Sequence, residues 1–167
     1  MSQVKDFHLM HGIVLAKISR NERPTLRLVE TDVSNVSLAY ILNDAVFIYV
    51  RYSLSGRVTK KTGKAVWNFP FHPLELAKIR DLREKHPVHF SLVVGFQSMD
   101  AKQMEVCLLH PDEIDECIDV NSKKVQIITV EVRSGESLRA YGPKNSEEKH
   151  KLVISRNRLD EWKIPGS

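Results

Sequence analysis

The most constraining feature of this chain is a pair of apolar runs separated by two residues. Residues 36–42 read VSLAYIL and residues 45–53 read AVFIYVRYS, with Asn43-Asp44 between them. Asn and Asp both tolerate positive φ, so this link suits the tight turn of a two-residue β-hairpin. A hairpin this apolar needs further layers to cover it, and the rest of the chain supplies the pieces. Before it, 3–19 places Val4, Phe7, Met10, Val14, Leu15 and Ile18 at helical spacing, weakened by Gly12 and ended by the NERP stretch at 21–24. TLRLVET (25–31) alternates as a strand. After the hairpin come a basic loop and the aromatic strand VWNFPF (66–71). A helix runs from His72-Pro73 to about Lys85, with Leu76, Ile79 and Leu82 on one side, and Pro87 ends it. VHFSLVVGF (88–96) is a nearly continuous apolar run, which reads as a strand covered on both faces. MEVCLL (104–109), an acidic helix at 111–119, and VQIITVEVR (125–133) with SLRAYG (137–142) complete the pattern.

This order predicts a mixed α/β (α+β) fold in a single domain. The expected architecture is one central twisted mixed sheet with helices on its faces and a C-terminal β extension. The expected division is 1–142 as the globular core and 143–167 as a polar linker and C-terminal segment packed on it, anchored by Trp162. The chain has 167 residues, 42% hydrophobic and 28% charged, which excludes a disordered or fibrous protein. No apolar run reaches the roughly 18 residues of a membrane span, and the N-terminus lacks a signal-peptide core, so the expectation is a cytoplasmic protein with no membrane partner. Two cysteines, Cys107 and Cys117, are too few for a disulfide framework and read as buried thiols.

Charge is unevenly distributed. Net charge is +4, yet residues 51–64 (RYSLSGRVTKKTGK) hold five cations and no acid, so the remainder is nearly neutral. Arg51, Arg57, Lys60, Lys61 and Lys64, beside Tyr49, Tyr52 and Trp67, form the kind of segment that contacts phosphates. The competing reading is a solvated hairpin tip. DEIDECID (112–119) holds five acids and no base. It follows Pro111, which places its first acids in a helical first turn where the dipole favours them. Trp67, Phe69 and Phe71 alternate with Asn68 and Pro70, a pattern that reads as one core-facing side of a strand rather than a stacking platform.

Motifs exclude more than they assign. Neither G-x-G-x-x-G nor G-x-x-x-x-G-K-[ST] occurs, which disfavours dinucleotide redox chemistry and nucleotide hydrolysis. No G-x-S-x-G elbow occurs, which disfavours a standard α/β-hydrolase. His8 and His11 stand three apart, whereas a helical zinc pair is more often spaced by four. No cofactor is implied by the residues alone.

The succession helix, three strands, helix, strand over about residues 1–96 resembles the core of the PD-(D/E)XK, or restriction-endonuclease-like, nuclease fold. The resemblance implies a metal-binding acid near the central hairpin, matched by Asp44, and an additional acid, matched by Glu30 on the preceding strand. It implies an acid-x-Lys signature on the next strand, where this chain reads Tyr49-Val50-Arg51. Arg51 can replace the lysine charge, but Tyr49 is not a carboxylate. Other acid-x-Lys triplets, Asp100 to Lys102, Glu147 to Lys149 and Glu161 to Lys163, are about as many as chance supplies. The chain also resembles small bacterial and mobile-element proteins, a likeness that implies no mechanism.

These readings lead to three expectations. The first is a nucleic-acid-binding protein, of DNA rather than RNA, in DNA processing or defence, contacting phosphates through Arg51, Arg57, Lys60, Lys61 and Lys64. The second is a Mg²⁺-dependent nuclease with Glu30, Asp44 and Arg51 as catalytic residues and Glu30 and Asp44 holding the metal. The third is a non-catalytic subunit that binds a protein partner or itself through its charged patches. Asp44 as a simple turn residue, Glu30 facing solvent or pairing with Arg27 or Arg51, and Arg51 covering apolar surface with its stem are the structural alternatives.

Overall fold

The computed structural model describes residues 6–21, 23–29, 37–96 and 103–166. The fold is mixed α/β, as the pattern predicts, with its strands divided between two five-stranded sheets rather than gathered into one. Sheet 1 has the order β1-β2-β3-β6-β7, built from β1 (Leu26–Val29), β2 (Ser37–Leu42), β3 (Val46–Ser53), β6 (Val88–Val94) and β7 (Glu105–Leu109). Its neighbours are antiparallel except β3 and β6, which run parallel. Sheet 2 has the order β10-β9-β8-β5-β4 and is antiparallel throughout: β4 (Arg57–Val58), β5 (Ala65–Phe71), β8 (Gln126–Val132), β9 (Leu138–Tyr141) and β10 (Leu152–Ile154).

Parallel strands need a long crossover, and the chain from β3 to β6 makes it through β4, β5 and helix α2 (Pro73–Arg83). That detour carries β5 out of sheet 1. Trp67, Phe69 and Phe71 on β5 face the inner core, while Val66, Asn68 and Pro70 face outward. The inner core lies between the sheets and takes Phe47 and Tyr49 from β3, Phe90 and Leu92 from β6, and Ile128 and Val130 from β8. Leu76 and Ile79 of α2 and Ile114 and Cys117 of α3 (Pro111–Cys117) complete it. A second core covers the opposite face of sheet 1, where Met10, Val14 and Ile18 of α1 (Asp6–Asn21) meet Ile48, Val50, Val93 and Leu108. Leu159 of α4 (Arg158–Glu161) and the tail residues Trp162 and Ile164 join it. Every residue of β6 is therefore buried, as its nearly continuous apolar run predicts, the polar His89 and Ser91 included. Val4 lies outside the described residues.

Asn43 and Asp44 adopt φ of 53° and 51°, and the Ala45 N–H donates to the Leu42 carbonyl at 2.9 Å. The two-residue turn of the sequence reading is present. Segment 143–167 contributes more than a linker: Leu152–Ile154 pair with Leu138–Ala140 as an edge strand of sheet 2. The sheets are also tied directly. The Trp67 indole N–H donates to the Gly95 carbonyl at 2.8 Å, and the ring packs on Phe96 with centroids 5.1 Å apart.

Candidate nucleic-acid interface

The basic segment folds as a β-hairpin. Arg57 and Val58 pair with Val66 and Ala65. The Thr59 N–H donates to the Lys64 carbonyl at 2.8 Å and the Gly63 N–H to the Thr59 carbonyl at 2.9 Å. Gly63 sits at φ 65°, a conformation that L side chains avoid. Arg57, Lys60 and Lys61 are exposed on this hairpin. Among the described residues no carboxylate pairs with any of the three. Elsewhere many surface cations are matched: Lys17 with Asp160, Arg27 with Asp44, Arg83 with Asp115, Arg156 with Glu105 and Arg158 with Glu113. Exposed Arg20, Arg23, Lys85, Lys123 and Lys124 also have no carboxylate partner among the described residues, but the hairpin gathers three such cations within five residues.

Lys64 and Arg51 are placed differently. Lys64 Nζ lies 3.1 Å from Glu131 Oε1, and Lys151 Nζ lies 2.9 Å from the same oxygen. Arg133 Nη2 donates to Glu131 Oε2 at 2.8 Å. Burial raises the pKa of Glu131, but the hydrogen bonds from Lys151, Arg133 and Lys64 outweigh it and bring it down to about 2. Lys64 thus belongs to a network centred on a buried carboxylate. Arg51 lies further in, with a side chain only 11% exposed. Its Nη1 donates to the Pro70 carbonyl at 2.5 Å and lies 3.4 Å from Glu75 Oε1, whose other oxygen accepts from the Tyr49 hydroxyl. The guanidinium sits over Phe71, 4.8 Å from its centroid. Arg51 shares strand parity with Phe47 and Tyr49, so it points between the sheets instead of onto the hairpin.

The expected catalytic set does not converge. Asp44 is in the β2–β3 turn, exposed, 3.3 Å from Arg27. Arg51 stands at the far end of β3, seven residues along an extended strand, or roughly 20 Å away. One reaction centre cannot hold both. Glu30 lies outside the described residues, as do Asp100 and Lys102. Among the described residues no group of three or more His, Cys, Asp or Glu is arranged to hold a metal ion. Both thiols are buried, which pushes their pKa values up, that of Cys117 to about 12.

Two arrangements escape a sequence reading because they join distant residues. His89 Nδ1 and His110 Nδ1 are 3.0 Å apart, one proton serving both, with Trp162 packed 4.7 Å from the His89 ring. Burial, then the charge of His110, lowers the His89 pKa to about 4. The second is the outer face of sheet 2, where Asn68, Thr129 and Tyr141 fall in one row of the register. Alternation marks these residues as outward but does not show that they are neighbours.

Comparison with protein-family models, curated proteins and solved structures finds no match. No helix among the described residues is long and apolar enough to cross a membrane.

Proposed function

We propose that this protein binds nucleic acid, DNA in the first instance, with the β4–β5 hairpin as its phosphate contact. The observation that carries this reading is the exposure of Arg57, Lys60 and Lys61 on one short hairpin with no carboxylate partner among the described residues. Cations so placed release counterions from a phosphate backbone, a sequence-independent attraction that falls with salt. Lys64, held by Glu131, adds to the local field and supports the hairpin base. Arg51 serves the interior. The proposal carries no catalytic step, because Asp44 and Arg51 stand at opposite ends of β3. The test is an anisotropy titration of labelled duplex and single-stranded DNA at low and physiological salt, with and without Mg²⁺, the products run on a gel. Salt-sensitive binding supports the reading. Absence of binding at low salt overturns it, and Mg²⁺-dependent cutting would restore a catalytic role.

A second reading, charge-steered self-association, draws on Asp112 and Glu116 of α3, exposed with no cationic partner among the described residues. Sizing with light scattering at low and high salt decides it: a mass that halves as salt rises supports it, and a constant monomer mass removes it.

A further inference from the structure

The outer face of sheet 2, to which β5 of the cationic hairpin belongs, opens into a groove of about 430 Å³ against the 142–146 turn. Its floor is a polar pair: the Thr129 hydroxyl donates to Asn68 Oδ1 at 2.8 Å. Nothing else among the described residues engages the Asn68 amide, whose two N–H donors remain for a ligand. Tyr141 stands on one side, and Val125 and Ile127, each 42% exposed, stand on the other. Lys151 Nζ lies 4.3 Å from the Tyr141 ring centroid, so the ring is fixed by a cation–π contact. No acid lines the groove.

Register ties this groove to the hairpin. Arg57, Val66, Glu131 and Arg139 form one row across the sheet, and Asn68, Thr129 and Tyr141 form the row two residues further on. The rows are about 7 Å apart, roughly two rises of a stacked nucleotide strand. Glu131, the acid in the first row, is neutralised by Lys64, Arg133 and Lys151. A polyanion running from the hairpin towards the groove therefore meets unmatched cations, then a screened carboxylate, then a mostly apolar slot with amide donors in its floor.

We infer that this groove takes an unpaired nucleobase, so that the strand crossing sheet 2 is single-stranded. The inference rests on the nucleic-acid reading above and deepens it. Bases inside a duplex are stacked on both faces and paired at their Watson–Crick edges, and cannot enter a slot of this kind. An extruded base offers a π-face to Tyr141 and hydrogen-bond acceptors to Asn68.

The test compares a short fluorescent single-stranded oligonucleotide with a duplex of the same length, by anisotropy at fixed low salt. Wild-type protein is expected to bind the single strand at least fivefold more tightly. Tyr141→Leu is expected to weaken single-strand binding by about 5- to 150-fold, the range for loss of one base–aromatic stack, and to leave duplex binding within twofold. Ile127→Gln, which adds no charge at a position 42% exposed, is expected to act in the same direction, and thermal melts check that both variants fold. Lys60→Glu/Lys61→Glu is expected to weaken both probes. Equal wild-type affinities, or groove variants that weaken both probes alike or neither, overturn the groove and leave the hairpin standing. No binding by wild type, or binding unchanged by the hairpin double variant, overturns the nucleic-acid reading and the groove with it.

Discussion

Replacing Glu131 with alanine should destabilise the protein by about 3–5 kcal/mol, the usual consequence of removing one partner from a buried ionic cluster. The Glu131 side chain is 1% exposed and neutralises Lys64, Lys151 and Arg133, which are 31%, 9% and 22% exposed. Without it, the only carboxylate among the described residues that Arg133 and Lys151 share is Glu148, at 2.6 and 2.9 Å, and it is 63% exposed. Lys64 is left facing two like charges. In urea, with a slope of about 2 kcal/mol per molar, the unfolding midpoint should fall by about 1.5–2.5 M. Glu131 has a folded pKa of about 2 against an ordinary 4.5, so its contribution is present above pH 4.5 and is lost as pH falls towards 2. The gap between wild type and Glu131→Ala should therefore narrow across that window. Molar salt, which screens the remaining cations from one another, should narrow it too. A midpoint shift under about 0.3 M, or a gap that does not close in acid, would show that the cluster is not the stabilising element described here.

Other perturbations report on other parts of the fold. His89 is held neutral with a pKa of about 4, below the ordinary 6.5, so the unfolded chain takes up the proton first and stability drops as pH falls from 6.5 to 4. A shift of this size corresponds to at most about 3 kcal/mol, and the loss between pH 7 and 4.5 should be smaller in His89→Phe, measured as urea midpoints at both values. Gly142→Ala would drive a Cβ into the Cys117 carbonyl oxygen and should cost about 2 kcal/mol or more, seen as a lower melting temperature. Arg51→Met leaves Glu75 without its guanidinium and should lower stability by about 3 kcal/mol, while the folded fraction keeps its nucleic-acid affinity within twofold in an anisotropy titration.

Much of this architecture can be read from local pattern. Asn43-Asp44 marks its turn because those residue types accept positive φ. The nearly continuous apolar run of β6 marks a strand between two cores, and Pro73 and Pro111 mark helix starts. The division into two sheets is harder to read, because it depends on which partner β5 takes rather than on β5 itself. A partial signal lies in β8, where Ile128 and Val130 alternate with Thr129 and Glu131, as in a sheet with one wet face; β6 carries His89 and Ser91 between apolar residues yet is buried on both faces, so alternation of residue type alone does not separate the two sheets. The inward direction of Arg51 also follows from parity, since residues 47, 49 and 51 share a face of β3. Its charge suggested the surface, and the turn of Pro70 and Glu75 towards it could not be read from β3 alone. Lys64 and Glu131 are 67 residues apart and His89 and His110 are 21 apart, and only the register of the sheets joins each pair. The hairpin cations are the part of the site that the sequence exposes directly, because composition marks them and local turn geometry presents them.

The most direct test of the account is the salt dependence of nucleic-acid binding in wild type and in the triple variant Arg57→Gln/Lys60→Gln/Lys61→Gln. Three phosphate contacts contribute a slope of about −2 for a single strand to −2.7 for a duplex in log K against log salt, so they account for about 20- to 40-fold of the affinity lost between 50 and 200 mM salt. The triple variant should bind more weakly at low salt, with a slope shallower by about two units or more. An unchanged slope, with an unchanged affinity at low salt, would contradict the account.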